Sequence, residues 1–312
     1  MVLKAYRNRE RLQASTWASS LPLQLACGAE EVEEALMRAV HNSPFGLELI
    51  VDGLVQLAFS LVDCAQGSGF LAPAKSQEQA AALGMRMVAA IFEAHTLSRE
   101  KILEQVQKSI AAAKGEEQCT PYVSLLALLA SSNPHTVGEH IPRLKEMWYF
   151  PFMGPRTAVG LLAALEPLLV ASARPELMDF LVLVMRKSMF ARELRARLVA
   201  VKGLLRLILF QMRGGGGGAG GESAHSAHSD PFGGGASCSQ MPGCSQMPFA
   251  DVGASAGRGL LDELMGFLRR CLTQQAAVRE ALYEGVPALL DADPSSHEAV
   301  CELLQPHLMQ FY

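Results

Sequence analysis

The sequence predicts an all-α fold: a HEAT-like α-solenoid of antiparallel helix pairs, interrupted by one long disordered Gly/Ser-rich loop. Three observations carry this. Apolar residues recur every three to four positions almost throughout, which is the period of one helix face. Half of the 312 residues are hydrophobic, yet only 6% are aromatic. An excess of Leu, Ala and Met favours helices, whereas strands want β-branched and aromatic residues. The helical runs also return in pairs of about 35–45 residues, the rhythm of stacked repeats that bury their faces on one another. A compact helical bundle is the alternative architecture.

The elements follow in order. Residues 1–29 form a poorly defined N-terminal segment. Its first eleven residues are charged and lack the apolar core of a secretory signal. Glu30, Glu31, Glu33 and Glu34 read as a solvated first helical turn, favoured there by the helix dipole. Leu47, Ile50, Leu54, Leu57 and Leu61 predict one buried face, with Ser43-Pro44 as a start signal and Gly67-Ser68-Gly69 as a stop. The same period recurs at Met85, Val88, Ile91 and Phe92, and at Ile102, Leu103, Val106 and Ile110. Leu177, Phe180, Leu181, Val184 and Met185 form a further stripe. Leu260, Leu264, Phe267, Leu268 and Cys271 form another, and Val300, Leu303, Leu304, Leu308 and Phe311 the last. Asn133-Pro134, Phe150-Pro151, Arg174-Pro175 and Asp293-Pro294 punctuate the runs, because a proline restricts the residue before it. The most apolar stretch, 159–173, is too short to cross a membrane and contains Glu166 and Pro167. About a dozen helices of 12–20 residues are expected.

One segment breaks the pattern. Residues 214–258 hold 13 glycines in 45 positions, with helices expected to resume near Gly259. Such a chain buries too little apolar surface to offset its conformational entropy and reads as a disordered insertion. The seven cysteines, Cys27, Cys64, Cys119, Cys238, Cys244, Cys271 and Cys301, are odd in number, scattered and without a C-x-x-C pair. They read as reduced thiols rather than a disulfide framework.

Charge gives the first functional signal. The net charge is −4, which excludes a polycation built to coat nucleic acid along its whole length. Yet Arg186, Lys187, Arg192, Arg195, Arg197, Lys202, Arg206 and Arg213 are opposed only by Glu193, giving +7 within 28 residues. A basic segment on an acidic protein suits phosphate or an acidic partner; a solvated helix face is the plainer reading. No aromatic residues interleave with it in the manner of single-strand binders.

The second signal lies in the loop. Cys238-Ser239-Gln240 is followed by Cys244-Ser245-Gln246, and both continue as Met-Pro. Ser-Gln pairs in a flexible segment suit DNA-damage kinases of the phosphatidylinositol-3-kinase-like family; chance is the plainer reading, since Ser76-Gln77 is another such pair. Each phosphate would add about −1.5 to −2 charges beside the basic helix. His225, His228, Cys238 and Cys244 fit no usual zinc spacing. Gly-x-Ser-x-Gly, Gly-x-x-x-x-Gly-Lys-Ser/Thr and His-Glu-x-x-His are all absent, so no catalytic residue, metal or cofactor is expected. The isolated histidines His41, His95, His135, His140, His297 and His307 read as structural or exposed.

Several segments resemble the Fanconi anaemia group I family. They include Arg186-Lys187-Ser188-Met189-Phe190-Ala191 with Leu194 and Ala196-Arg197, and Arg270-Cys271-Leu272-Thr273-Gln274-Gln275 with Val278-Arg279 and Leu282-Tyr283-Glu284-Gly285. Asp52-Gly53-Leu54-Val55-Gln56-Leu57, Ile102-Leu103-Glu104-Gln105-Val106 and Gln310-Phe311-Tyr312 are similar as well. The resemblance runs from about residue 30 to the end and covers the middle of a longer family protein, so a partial chain is expected. It implies a helical domain over 30–115 and a second α-solenoid over 116–312, interrupted by the loop 214–258.

The resemblance also implies a nuclear, non-enzymatic scaffold of DNA interstrand-crosslink repair. Its implied partners are the group D-two paralogue, branched or duplex DNA, a DNA-damage kinase and the ubiquitin-ligase machinery, with no membrane and no small-molecule substrate. Ser239 and Ser245 occupy the place of the family's phosphorylated Ser-Gln cluster. One departure stands out. Where the family carries a ubiquitin-acceptor lysine after Ala-Arg, this chain has Leu198 after Ala196-Arg197. Lys202 lies one helical turn on, as a shifted acceptor; the alternative is that modification is lost. A generic HEAT-like protein-binding adaptor without a DNA role is the competing reading of the whole chain.

Overall fold

A computed structural model describes residues 28–42, 48–64, 74–149, 154–171, 175–214 and 251–310. Thirteen α-helices and no strand occur among them: α1 (Gly28–Asn42), α2 (Glu48–Asp63), α3 (Ala74–Ala94), α4 (Arg99–Ala112), α5 (Glu116–Ser132), α6 (Pro134–Gly138), α7 (Ile141–Glu146), α8 (Pro155–Ala171), α9 (Pro175–Met189), α10 (Leu194–Gly214), α11 (Asp251–Leu272), α12 (Ala276–Ala292) and α13 (His297–Leu308). The all-α expectation holds, and the helices pack as solenoid-type pairs. Two of them, α6 and α7, are single-turn pieces shorter than the 12–20 residues expected. Pro134 starts α6 after Asn133, and Pro142 sits in the first turn of α7. Closely spaced prolines each lack the N–H that a longer helix would use.

The chain divides into two compact units, Met1–Val199 and Ala200–Tyr312, so the boundary falls inside α10. In the first unit α2 packs along α3, α5 along α8, and α1 against α3. The α2–α3 pair is close enough to exclude a side chain. A Cβ on Gly84 of α3 would lie 2.6 Å from the Ala58 carbonyl oxygen and 2.9 Å from Leu61 Cβ. That approach settles which face of α2 is buried. Val51, Leu54, Ala58, Leu61 and Val62 face inward, while Ile50 and Leu57 of the expected stripe are exposed. The stripe read from the sequence was therefore rotated by part of a turn. α2 is apolar on more than one side, and periodicity alone does not choose between sides.

Polar groups fasten the rims of these pairs. Arg86 pairs with Glu33 at 2.7 Å, and the His95 ring sits 3.1 Å from the Val40 carbonyl, both linking α1 to α3. Lys101 of α4 pairs with Asp52 of α2 at 3.1 Å. The Tyr122 hydroxyl donates to the Asp63 carboxylate. At the start of α8 the Arg156 N–H donates to Glu116 Oε1 of α5 at 2.9 Å. A carboxylate from one helix thus satisfies an end group of another, where the dipole favours negative charge.

In the second unit α11 packs on α12 and α13. Leu205 of α10 lies over Gly285 of α12, its Cδ1 occupying the space where a Cβ would stand. Leu260, Leu264, Leu268 and Cys271 are buried as expected. In the final stripe Val300 and Leu303 are buried, but Leu308 is exposed. The expected loop 214–258 needs correcting at its end. Residues 251–258 belong to α11, so helix resumes eight positions before Gly259. Extending a helix that the Leu260 stripe has nucleated costs far less than starting one, so the glycines there are tolerated. Residues 215–250 lie outside the described part.

The two glycines make opposite predictions. Gly84→Ala should destabilise the first unit by about 1–3 kcal/mol through overpacking. Gly53→Ala, at an exposed helical position with nothing within 4 Å of its Cβ, should stabilise by up to about 1 kcal/mol. Thermal unfolding of the two variants checks both signs. A second prediction concerns thiols. Burial pushes the Cys271 thiol up to about 12, while Cys301 is exposed. Since the thiolate is the nucleophile, iodoacetamide at pH 8 should label Cys301 in the folded chain. Cys271 should be labelled only after denaturation, as read by peptide mass spectrometry.

Candidate nucleic-acid and partner interface

The eight cations of the basic run fall into two sets. Five belong to the first unit. Arg186 and Lys187 close the last turn of α9, which suits positive charge at a helix C-terminus. Arg192 stands in the connection between α9 and α10, and Arg195 and Arg197 in the first turn of α10. Lys187, Arg192 and Arg195 are exposed, while Arg186 and Arg197 are half-buried. The connection is tight. Phe190 N–H donates to the Lys187 carbonyl and Ala191 N–H to that of Ser188, both at 3.1 Å. The Arg197 guanidinium reaches the Arg192 carbonyl at 3.5 Å, holding the turn against the start of α10.

The other three, Lys202, Arg206 and Arg213, belong to the second unit. Their spacing of four and seven residues sets them along one stripe of α10. Lys202 and Arg206 are half-buried and Arg213 is exposed. The Lys202 ammonium lies 3.3 Å from Glu284 Oε2 of α12, with 40% of its side chain accessible. Nothing in the sequence had pointed to Glu284 as a partner of Lys202, because the pair spans 82 positions. The charge pattern also missed three apolar residues beside the first set of cations. Leu183, Phe190 and Leu194 are 50%, 58% and 37% exposed. Phe190 is nine residues beyond the buried Leu181, off the α9 core stripe, which was its one visible signal.

Ser239 and Ser245 lie outside the described residues, as do His225, His228, Cys238 and Cys244. Among the described residues no group of three or more His, Cys, Asp or Glu side chains is placed to hold a metal ion. No described helix is long and apolar enough to cross a membrane. Of the isolated histidines, His297 sits 3.5 Å from the exposed Cys301 sulfur, and the His307 ring lies 6.3 Å from the Tyr283 ring, tilted by 35°. These contacts lie within or between neighbouring helices and form no wider constellation.

Comparison with known proteins gives these positions a context. Residues 50–205 match the family model described as FANCI solenoid 2, and residues 235–312 match FANCI helical domain 2. The chain belongs to the Fanconi anemia group I family. It is 30% identical to the Fanconi anemia group I protein of Gallus gallus and 28% identical to the group I protein homolog of Mus musculus, in both cases over the whole of this chain. It spans 23% of the length of each relative. The matched ranges set a solenoid before a helical domain and divide the chain between 205 and 235. The sequence reading had set a helical domain first and divided the chain at 115. In group I terms the exposed set of cations lies in the solenoid 2 range, and Glu284 lies in helical domain 2.

The Lys202–Glu284 pair is exposed enough that its contribution to stability is small. Glu284→Ala should lower stability by less than about 1 kcal/mol. It should also raise the acetylation rate of Lys202 relative to Lys187 in native-state labelling by mass spectrometry.

Proposed function

We propose that this chain acts as part of a non-enzymatic DNA-repair scaffold in the Fanconi interstrand-crosslink pathway. In this reading it works in the nucleus, within a heterodimer formed with the group D-two paralogue, and the heterodimer clamps branched or duplex DNA. The observation that carries the reading is the exposed cation set Lys187, Arg192 and Arg195 on a chain of this family. Arg186 and Arg197 extend this set within the first unit, and Lys202 and Arg206 are a second set of candidates in the second unit. A solenoid of packed helices supplies a rigid support, and the cations supply the attraction for phosphate or acidic side chains.

Regulation follows from charge. Phosphates placed on Ser239 and Ser245 by a DNA-damage kinase would enter a segment that continues directly from the basic helix α10. They would pair with its arginines and bias the clamp toward its closed form. Lys202 is the acceptor candidate for the ubiquitin-ligase machinery, since Leu198 stands at the family's lysine position. Its ion pair with Glu284 is weak enough to open at little cost.

The competing reading is a HEAT-like adaptor with no DNA role, and salt titration separates the two. On duplex DNA the slope of log K against log salt should be about −0.9 per phosphate contact. A Lys187→Glu plus Arg192→Glu variant should flatten that slope by roughly two such contacts. A slope near zero in the unaltered chain would favour the adaptor. The regulatory proposal is tested in cells treated with a crosslinking drug. The paralogue should co-purify, and mass spectrometry should find phosphate on Ser239 and Ser245 and a ubiquitin remnant on Lys202. Repair foci that form normally with Ser239→Ala plus Ser245→Ala would sink the phosphate switch.

A further inference from the structure

From the corner between α9 and α10 we infer that this part of the basic surface, beyond the phosphate contacts its cations can make, docks an acidic, amphipathic protein segment. The inference rests on the reading above that the corner is an interaction surface, and it names the chemistry of the partner. The corner carries two kinds of exposed group in one place. Leu183 and Lys187, four residues apart, share one face of α9, and Phe190 follows in the turn directly after the helix. Leu194 and Arg195 follow in the first turn of α10, with Arg192 between. Leu183, Phe190 and Leu194 are all substantially exposed. From residue 180 to residue 206 the sole carboxylate is Glu193.

That combination distinguishes partners. A phosphate backbone rewards cations and offers nothing to three exposed apolar side chains, because specific and nonspecific DNA contacts are dominated by charge. Protein interfaces gather aromatic residues and arginine around an apolar centre with a polar rim. Here Phe190 is the natural centre, Leu183 and Leu194 flank it, and Lys187, Arg192 and Arg195 form the rim. The complementary segment is a helix with apolar residues at i, i+3 or i+4 and i+7, and Asp or Glu beside them. The opposite charges would speed encounter, and the apolar contacts would hold the complex.

Fluorescence polarisation with the full chain tests this. The probe is a synthetic 18-residue acidic helix carrying such an apolar stripe. A scrambled peptide of equal charge, a duplex and a single-stranded oligonucleotide serve as comparisons. The acidic helix should bind at least about tenfold more tightly than its scramble. Phe190→Ala should weaken it about tenfold, the loss expected of a central aromatic anchor, while leaving duplex binding unchanged. Because Phe190 is exposed, the variant should keep its melting temperature, and Leu183→Ala gives an independent check on the face of α9. Equal binding of helix and scramble would overturn the inference. So would single-stranded DNA that binds in a Phe190-dependent way, since that would make the ring a base-stacking platform. If the chain fails to bind duplex while the helix binds through Phe190, only the DNA reading falls and the docking site stands.

Discussion

Close backbone approach between paired helices is the constraint on which the rest of the first unit depends. There it is Gly84 against Ala58, Leu61 and Val62, with no space for a methyl group. In the second unit the fit is between a side chain and a glycine, with Leu205 lying over Gly285. Packing this close buries apolar surface, and burial is the main favourable contribution. The contact at Gly84 fixes the rotation of α2, and that rotation places Asp52 beside Lys101 and Asp63 beside Tyr122. Such rim contacts are individually weak. They follow from the core's geometry and do not create it.

The same logic explains why a single run of positive charge becomes two surfaces of different character. Within the first unit, α9 must bury Leu177, Leu181, Met185 and Met189. That leaves Leu183 and Lys187 on the outside, and the turn that follows throws Phe190 and Arg192 outward as well. Within the second unit, α10 buries Leu204, Leu205, Leu207 and Ile208. The half-buried Lys202 then meets Glu284 across the helix pair. One set of cations is displayed together with apolar side chains. The other is partly held within its own unit.

Helix ends show a similar division of labour. Asn133-Pro134 and Asp293-Pro294 stop and restart the chain where the sequence places them, and Asp293 accepts from the Ser295 N–H at 2.9 Å. These are local effects of a fixed proline φ and a short polar side chain. The cap on α8 is different, because its acceptor, Glu116, comes from α5, 40 positions earlier. The acidic first turn of α5 was visible in the sequence, but its role was not.

What the sequence determined by itself is whatever depends on neighbours along the chain. The 3.6-residue period, the proline breaks, the absence of strand patterning and the density of charge from Arg186 to Arg213 are all of this kind, as are the family's own words from Arg186 to Ala191. Tertiary structure decided what depends on distant residues. It chose the buried side of α2, because that helix is apolar on several sides and only Gly84 of α3 permits close contact with one. It extended α11 back to Asp251, because a helix anchored by a packed stripe propagates into residues that would not start one. It exposed Phe190 and paired Lys202 with Glu284. Periodicity says which residues share a face, but only the packing partner says which face is covered.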